Sequence, residues 1–178
     1  MYRVNPGRYG SRGHYRTGTG SGSTKEDRAV TEFINIYNSL LSGKYGEAMK
    51  KLRDLLENRG DKSFIGGTTK SAFRKIHSVI TDIIEKISTI SSCSGANVVI
   101  SELAKAALLI KYQAKRQTIS PQLAEGLYRV IDNIITTEEK LKSDKASCNE
   151  ALKSLKENGE ALKILIDGII AFGEFKNK

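Results

Sequence analysis

From about residue 28 onward, apolar side chains recur at intervals of three and four residues, the period of a helix with one buried face. Strict alternation of apolar and polar residues, the mark of a half-buried strand, is absent from this region, and only one of the two prolines lies in it. The pattern predicts an all-α protein, a compact bundle of five or six helices. A first helix over about 28–41 gathers Val30, Phe33, Ile34, Tyr37, Leu40 and Leu41 on one face and stops at Ser42-Gly43. A second, over about 45–58, buries Met49, Leu52, Leu55 and Leu56 before Arg59-Gly60-Asp61 and Gly66-Gly67 interrupt the period.

The third helix opens at Thr68 or Thr69, either of which can cap it, and runs to about Ser91 with Phe73, Ile76, Ile80, Ile83, Ile84 and Ile87 in one stripe. A loop through Ser92-Cys93-Ser94-Gly95 leads to a fourth helix over about 96–117. Ser120 caps the fifth, with Pro121 at the first helical position, where its missing N–H is harmless. The last stretch, about 145–175, carries Leu152, Leu155, Leu162, Leu165, Ile166, Ile169 and Ile170. Gly159 leaves open whether it is one helix or two. Short connections make sequence neighbours pack mostly antiparallel.

Residues 1–27 break this pattern. Gly, Ser, Thr and Arg dominate, and nothing there offsets the entropy of ordering a chain, so this segment is expected to be a disordered basic arm ahead of a helical domain over 28–178. Its cations Arg3, Arg8, Arg12 and Arg16 could neutralise phosphates while Tyr2, Tyr9 and Tyr15 stack on unpaired bases. A flexible leader of no specific role is the alternative.

Lys and Arg outnumber Asp and Glu by 29 to 20, so the surface attracts polyanions, nucleic acid first among them. No uninterrupted apolar run approaches the roughly 18 residues of a membrane-crossing helix, and the first residues lack a secretory apolar segment. No membrane association is expected. Cys93 and Cys148 match neither a zinc nor a redox spacing, so they read as reduced structural thiols in a cytoplasmic protein.

Catalytic candidates are few. His14 lies in the arm, and His77 falls at the edge of the third helix's apolar stripe, where a partly buried structural role is expected. Glu138-Glu139 reads as a solvated helix face. Gly18-Thr19-Gly20-Ser21-Gly22 and Gly66-Gly67-Thr68-Thr69-Lys70-Ser71 both lack the preceding strand of a phosphate-binding loop, and the second has Thr69 where that loop needs glycine. The start of the third helix, beside Lys70, could still hold one phosphate on free N–H groups. Neither an enzyme activity nor a cofactor or metal is expected.

The basic residues are better organised. Lys70 and Arg74 form a polar rail along one side of the third helix's stripe. On the fourth helix Leu103, Ala107, Ile110 and Ala114 face inward, while Lys105, Tyr112 and Arg116 share the opposite side with Leu108 and Leu109 flanking it. A helix apolar around so much of its circumference is buried on both sides. Lys111-Tyr112-Gln113-Ala114-Lys115-Arg116 therefore reads as a surface where phosphates meet cations and another protein meets the leucines. An ordinary cation-rich helix C-terminus is the alternative.

These stretches carry a resemblance. Thr68-Thr69-Lys70-Ser71-Ala72-Phe73-Arg74-Lys75-Ile76 resembles the Thr-Thr-x-x-Leu-Arg-Lys segment that opens a helix in the small subunit of the type III-A CRISPR (Csm) effector complex. Leu108-Leu109-Ile110-Lys111-Tyr112-Gln113-Ala114-Lys115-Arg116 is similar to that family's Leu-x-Pro-x-x-Ala-Tyr-x-x-x-Arg helix, without the proline. An amphipathic helix containing Leu127 and Ile131 follows, as in the family. Residues 169–176 are similar to its closing Ala-Tyr-His-Lys run, with Phe172-Gly173 where Tyr-His is usual.

The resemblance implies a non-catalytic helical subunit for antiviral defence, stacked in a filament with copies of itself and with other effector subunits. It would contact the duplex of crRNA and target RNA along a basic face. Lys70, Arg74 and Lys75 match the first segment, and Lys111, Tyr112 and Arg116 the second; Lys105 joins them by helical position and Lys115 as part of the 111–116 cluster. A helical protein–protein adaptor and a free-standing RNA-binding protein are the competing readings.

Overall fold

The computed structural model describes residues 25–57, 64–143 and 147–176. They form six helices: α1 (Lys25–Leu41), α2 (Tyr45–Glu57), α3 (Lys70–Thr89), α4 (Cys93–Lys115), α5 (Pro121–Ser143) and α6 (Cys148–Phe172). No strand occurs among the described residues; Thr69 and Lys176 make one isolated parallel bridge. The expected all-helical bundle is the observed fold.

Local chemistry sets the helix limits. Thr69 is the residue that caps α3, its hydroxyl accepting the Ala72 N–H at 3.3 Å. Ser92 does the same for Gly95 at 3.2 Å, which starts α4 three residues before the expected Ala96. Ser120 accepts from the Leu123 N–H at 3.1 Å at the head of α5. Ser147 and Glu150 close a capping box on α6. Between α1 and α2 the turn passes through Gly43 at φ +73°, a conformation that excludes most side chains.

α6 runs unbroken through Gly159, which settles the alternative left open above. The glycine is there for space: a Cβ would stand 2.9 Å from Ile87 Cγ2 of α3. Just before it, Asn158 accepts a buried 2.6 Å hydrogen bond from the Tyr37 hydroxyl of α1. α6 touches each of the other five helices, whereas α2 and α3, adjacent in sequence, do not touch. A single connected core links all six, with Phe33, Tyr37, Leu52, Phe73, Leu103 and Leu165 among its fully buried members.

The ends of the bundle are tied differently. At one end, the Thr69 N–H donates to the Thr118 carbonyl (2.9 Å), Lys70 N–H to the Lys176 carbonyl (3.2 Å) and Ser120 N–H to the Thr68 hydroxyl (2.9 Å). The starts of α3 and α5 and the finishes of α4 and α6 thus lie together. At the other end Cys93 and Cys148 form a disulfide, with Cα atoms 5.8 Å apart, joining the starts of α4 and α6. This corrects the expectation of two reduced thiols. Residues separated by 55 positions carry no pairing signal in sequence, and the fold alone brings them together.

Two smaller expectations change as well. Glu138 is buried and only Glu139 lies on a solvated face. α4 is long and apolar enough, by length and composition, to cross a membrane, which a search for unbroken apolar runs does not find. In the bundle its inner face, Val99, Leu103, Ala107 and Ile110, is buried against the core.

Candidate nucleic-acid interface

Two contacts set the register of the antiparallel pair α3–α4. Lys86 Nζ lies 2.8 Å from Glu102 Oε1, and the Thr69 N–H reaches the Thr118 carbonyl. The head of α3, with Lys70, Arg74 and Lys75, therefore stands level with the last turns of α4, where Tyr112, Lys115 and Arg116 lie. The structure brings both halves of the sequence-predicted site to one end of the molecule.

They do not form one rail, however. Lys70 and Arg74 line a hollow of about 360 Å³ with Ile170, Gly173 and Phe175 of the C-terminal segment, on the α6 side of α3. Lys75 stands eleven residues before Lys86, three helical turns, and so shares the flank that faces α4. Of the three, Lys75 is the one placed beside the α4 cations, with Asp82 on the same flank one heptad later.

The outer face of α4 is open. Leu108 is 70%, Val98 58% and Tyr112 53% exposed, and Lys105, Lys115 and Arg116 are exposed with them. The single carboxylate of α4, Glu102, points toward α3 and bonds Lys86, so α4 itself adds no carboxylate to this face. Arg116 lies over the Tyr112 ring, 5.6 Å from its centroid, with Nη1 3.5 Å from the phenol oxygen. A cation and an aromatic face stay close together and both remain accessible.

Lys111 is a different case. Its Nζ stands 2.6 Å from Glu125 Oε2 and 4.0 Å from the Tyr128 ring centroid, both on α5. Glu125 also takes a 2.7 Å hydrogen bond from Arg129 Nε. The hydrogen bonds from Lys111 and Arg129 hold the Glu125 carboxyl below its ordinary range. Lys111 is thereby engaged in joining α4 to α5, which removes it from the open face.

The start of α3 is largely bonded within the protein. The Lys70 amide donates to the Lys176 carbonyl, the Ala72 amide to the Thr69 hydroxyl, and Phe73 N–H to the Thr69 carbonyl. Phe175 stacks on Phe73 at 5.0 Å and folds the C-terminal segment over this helix end. These bonds leave the phosphate site expected there with fewer N–H groups than an uncapped helix start presents.

His77 has the partly buried position expected of it, with Nε2 2.9 Å from Asp167 Oδ1 of α6. No group of three or more His, Cys, Asp or Glu side chains suited to a metal occurs among the described residues. The arm residues Arg8, Arg12 and Arg16 lie outside the described residues. Sequence reasoning missed Val98 as part of the open face; its spacing of seven from Lys105 and of fourteen from Tyr112 was the available signal. No family model, curated protein or solved structure matches the chain.

Proposed function

We propose that this protein is a non-catalytic RNA-binding subunit of a ribonucleoprotein of the type III-A CRISPR effector kind. It lies along the backbone of a crRNA–target duplex and against neighbouring subunits. One observation carries the reading: the outer face of α4 presents Lys105, Lys115 and Arg116 around Tyr112 with no carboxylate of its own helix among them, and Lys75 of α3 stands level with the last turns. Phosphates would meet the cations without base-specific contact. The ordered motifs over residues 68–176 and the excess of 29 basic over 20 acidic residues support the same reading.

Leu108 and Val98, the two most exposed large aliphatic side chains, favour a second reading in which α4 docks a protein and the charge only keeps the chain soluble. The triple variant Lys105→Glu, Lys115→Glu, Arg116→Glu separates the two. Binding to a short A-form RNA duplex, followed by fluorescence anisotropy, should weaken more than about tenfold, and the wild-type affinity should fall steeply with salt. An affinity that ignores both the substitutions and ionic strength overturns the RNA reading. Copurification from the native host should then recover protein partners without guide RNA.

The disulfide bears on location. Such bonds ordinarily persist in oxidising compartments, but intracellular proteins of hyperthermophiles are rich in them. A cytoplasmic ribonucleoprotein is the setting we propose.

A further inference from the structure

The disulfide occupies an unusual place. Ser92 and Ser147 are the N-caps of α4 and α6, so Cys93 and Cys148 are the first residues of those two helices. Cys148 is exposed and Cys93 half-buried. A thiolate at either position would stand at the positive end of a helix, where it is a better leaving group than a thiolate in an apolar core.

The segment it holds is thinly anchored. Residues 148–157 of α6 bury Ala151, Leu152 and Leu155, whereas the rest of the helix buries Ala161, Leu162, Leu165, Ile166 and Ile169. Hollows border the first half. One of about 480 Å³ runs along Asn149, Leu152, Lys153 and Lys156 beside Ile90, and one of about 350 Å³, between Ile84 and Ile87 of α3 and the middle of α6 at Gly159, reaches it at Lys156. The second half is joined to α3 by His77–Asp167, and the segment that follows it by the Phe73–Phe175 stack. Between the halves stand Asn158, bonded to Tyr37, and Gly159, packed on Ile87.

We infer that the Cys93–Cys148 disulfide is a reducible latch on the first three turns of α6, with Asn158 and Gly159 as the fulcrum. The reductant is a dithiol, small or carried by a protein. Its thiolate attacks the exposed Cys148 sulfur, forming a mixed disulfide and expelling the Cys93 thiolate at the head of α4. The second thiol of the reductant then attacks its own sulfur in the mixed disulfide, expelling the Cys148 thiolate. Two electrons pass to the protein, the reductant leaves as a disulfide, and both cysteines take up protons. Release exposes Leu152 and Leu155 on the freed turns and Ile90, which lies beside them.

The test is amide hydrogen exchange on the full chain, oxidised and after treatment with dithiothreitol, with thiol alkylation and mass measurement to count the reduced cysteines. Reduction should speed exchange at 149–157 at least tenfold, the size expected of a local opening, while 160–172 of α6 and 73–87 of α3 keep their protection. The variant Cys93→Ser/Cys148→Ser should reproduce that pattern without reductant. Unchanged exchange at 149–157, acceleration spread evenly over the chain, or a double variant that fails to fold would each overturn the latch. None of these readouts depends on RNA binding.

Discussion

Lys111 Nζ and Glu125 Oε2, 2.6 Å apart, turn toward α5 a cation that the resemblance assigns to the RNA-facing side of α4. The consequence is a division of labour between Lys111 and Lys115. Lys111→Met should leave affinity for duplex RNA within about twofold of wild type, because the charge it removes is already neutralised. It should lower stability by about 1 kcal/mol through loss of the ion pair and the Tyr128 contact. Denaturant unfolding and anisotropy on one variant check both.

Glu125 makes stability depend on acid. Its folded carboxyl lies below the ordinary value of 4.5, held there first by Lys111 and then by Arg129. A depressed carboxyl contributes stability that is fully present above the unfolded value and is lost as pH falls through the folded one. The stability difference between wild type and Glu125→Gln should therefore be constant near neutrality and shrink as pH falls below 4.5. A difference that stays constant to pH 3 would show that the ion pairs contribute nothing.

Tyr37 gives the opposite sign at the alkaline end. Burial raises its phenol above the ordinary 10.0, so the folded protein keeps it neutral where the unfolded chain ionises. Stability from this group is present below pH 10.0 and declines as pH rises beyond it. Tyr37→Phe should remove that alkaline decline. It should also cost about 1–3 kcal/mol at neutral pH, since the buried Asn158 oxygen loses its donor.

Gly168 and Gly46 form a matched pair. A Cβ on Gly168 would stand 2.6 Å from Leu52 Cδ2 and 3.0 Å from Met49 Cε, whereas one on Gly46 meets nothing within 4 Å. Leu52 is fully buried and has little room to yield. Overpacking of about 1–3 kcal/mol should outweigh the helix propensity gained by Gly168→Ala. Gly46→Ala should instead stabilise by about 0.5–1 kcal/mol. Thermal unfolding of the two variants should move in opposite directions.

Much of the bundle was legible because its signals are local. The apolar period and the Ser120-Pro121 pair state where helices lie and where one begins. A cap or a stripe needs only its own few neighbours. What the chain concealed depends on partners distant in sequence. Gly159 left the number of helices open because Ile87, which fills the space beside it, is seventy-two positions away. Cys93 and Cys148 read as unrelated, and Glu138 as solvated, for the same reason. In the candidate site, Lys105, Tyr112 and Arg116 were grouped by helical position alone. Glu125 and Lys176, which engage Lys111 and the Lys70 amide, lie on other elements.

The position of α6 bears on how the chain is made. A ribosome delivers α1 to α5 first, and each of them leans on a helix that does not yet exist. Leucines and isoleucines that will cover α6 must wait uncovered, or cover one another in arrangements that have to be undone. Completion of the fold is thus a late, single event. Conditions that slow synthesis near residue 148 should raise aggregation and chaperone capture more than the same delay imposed earlier.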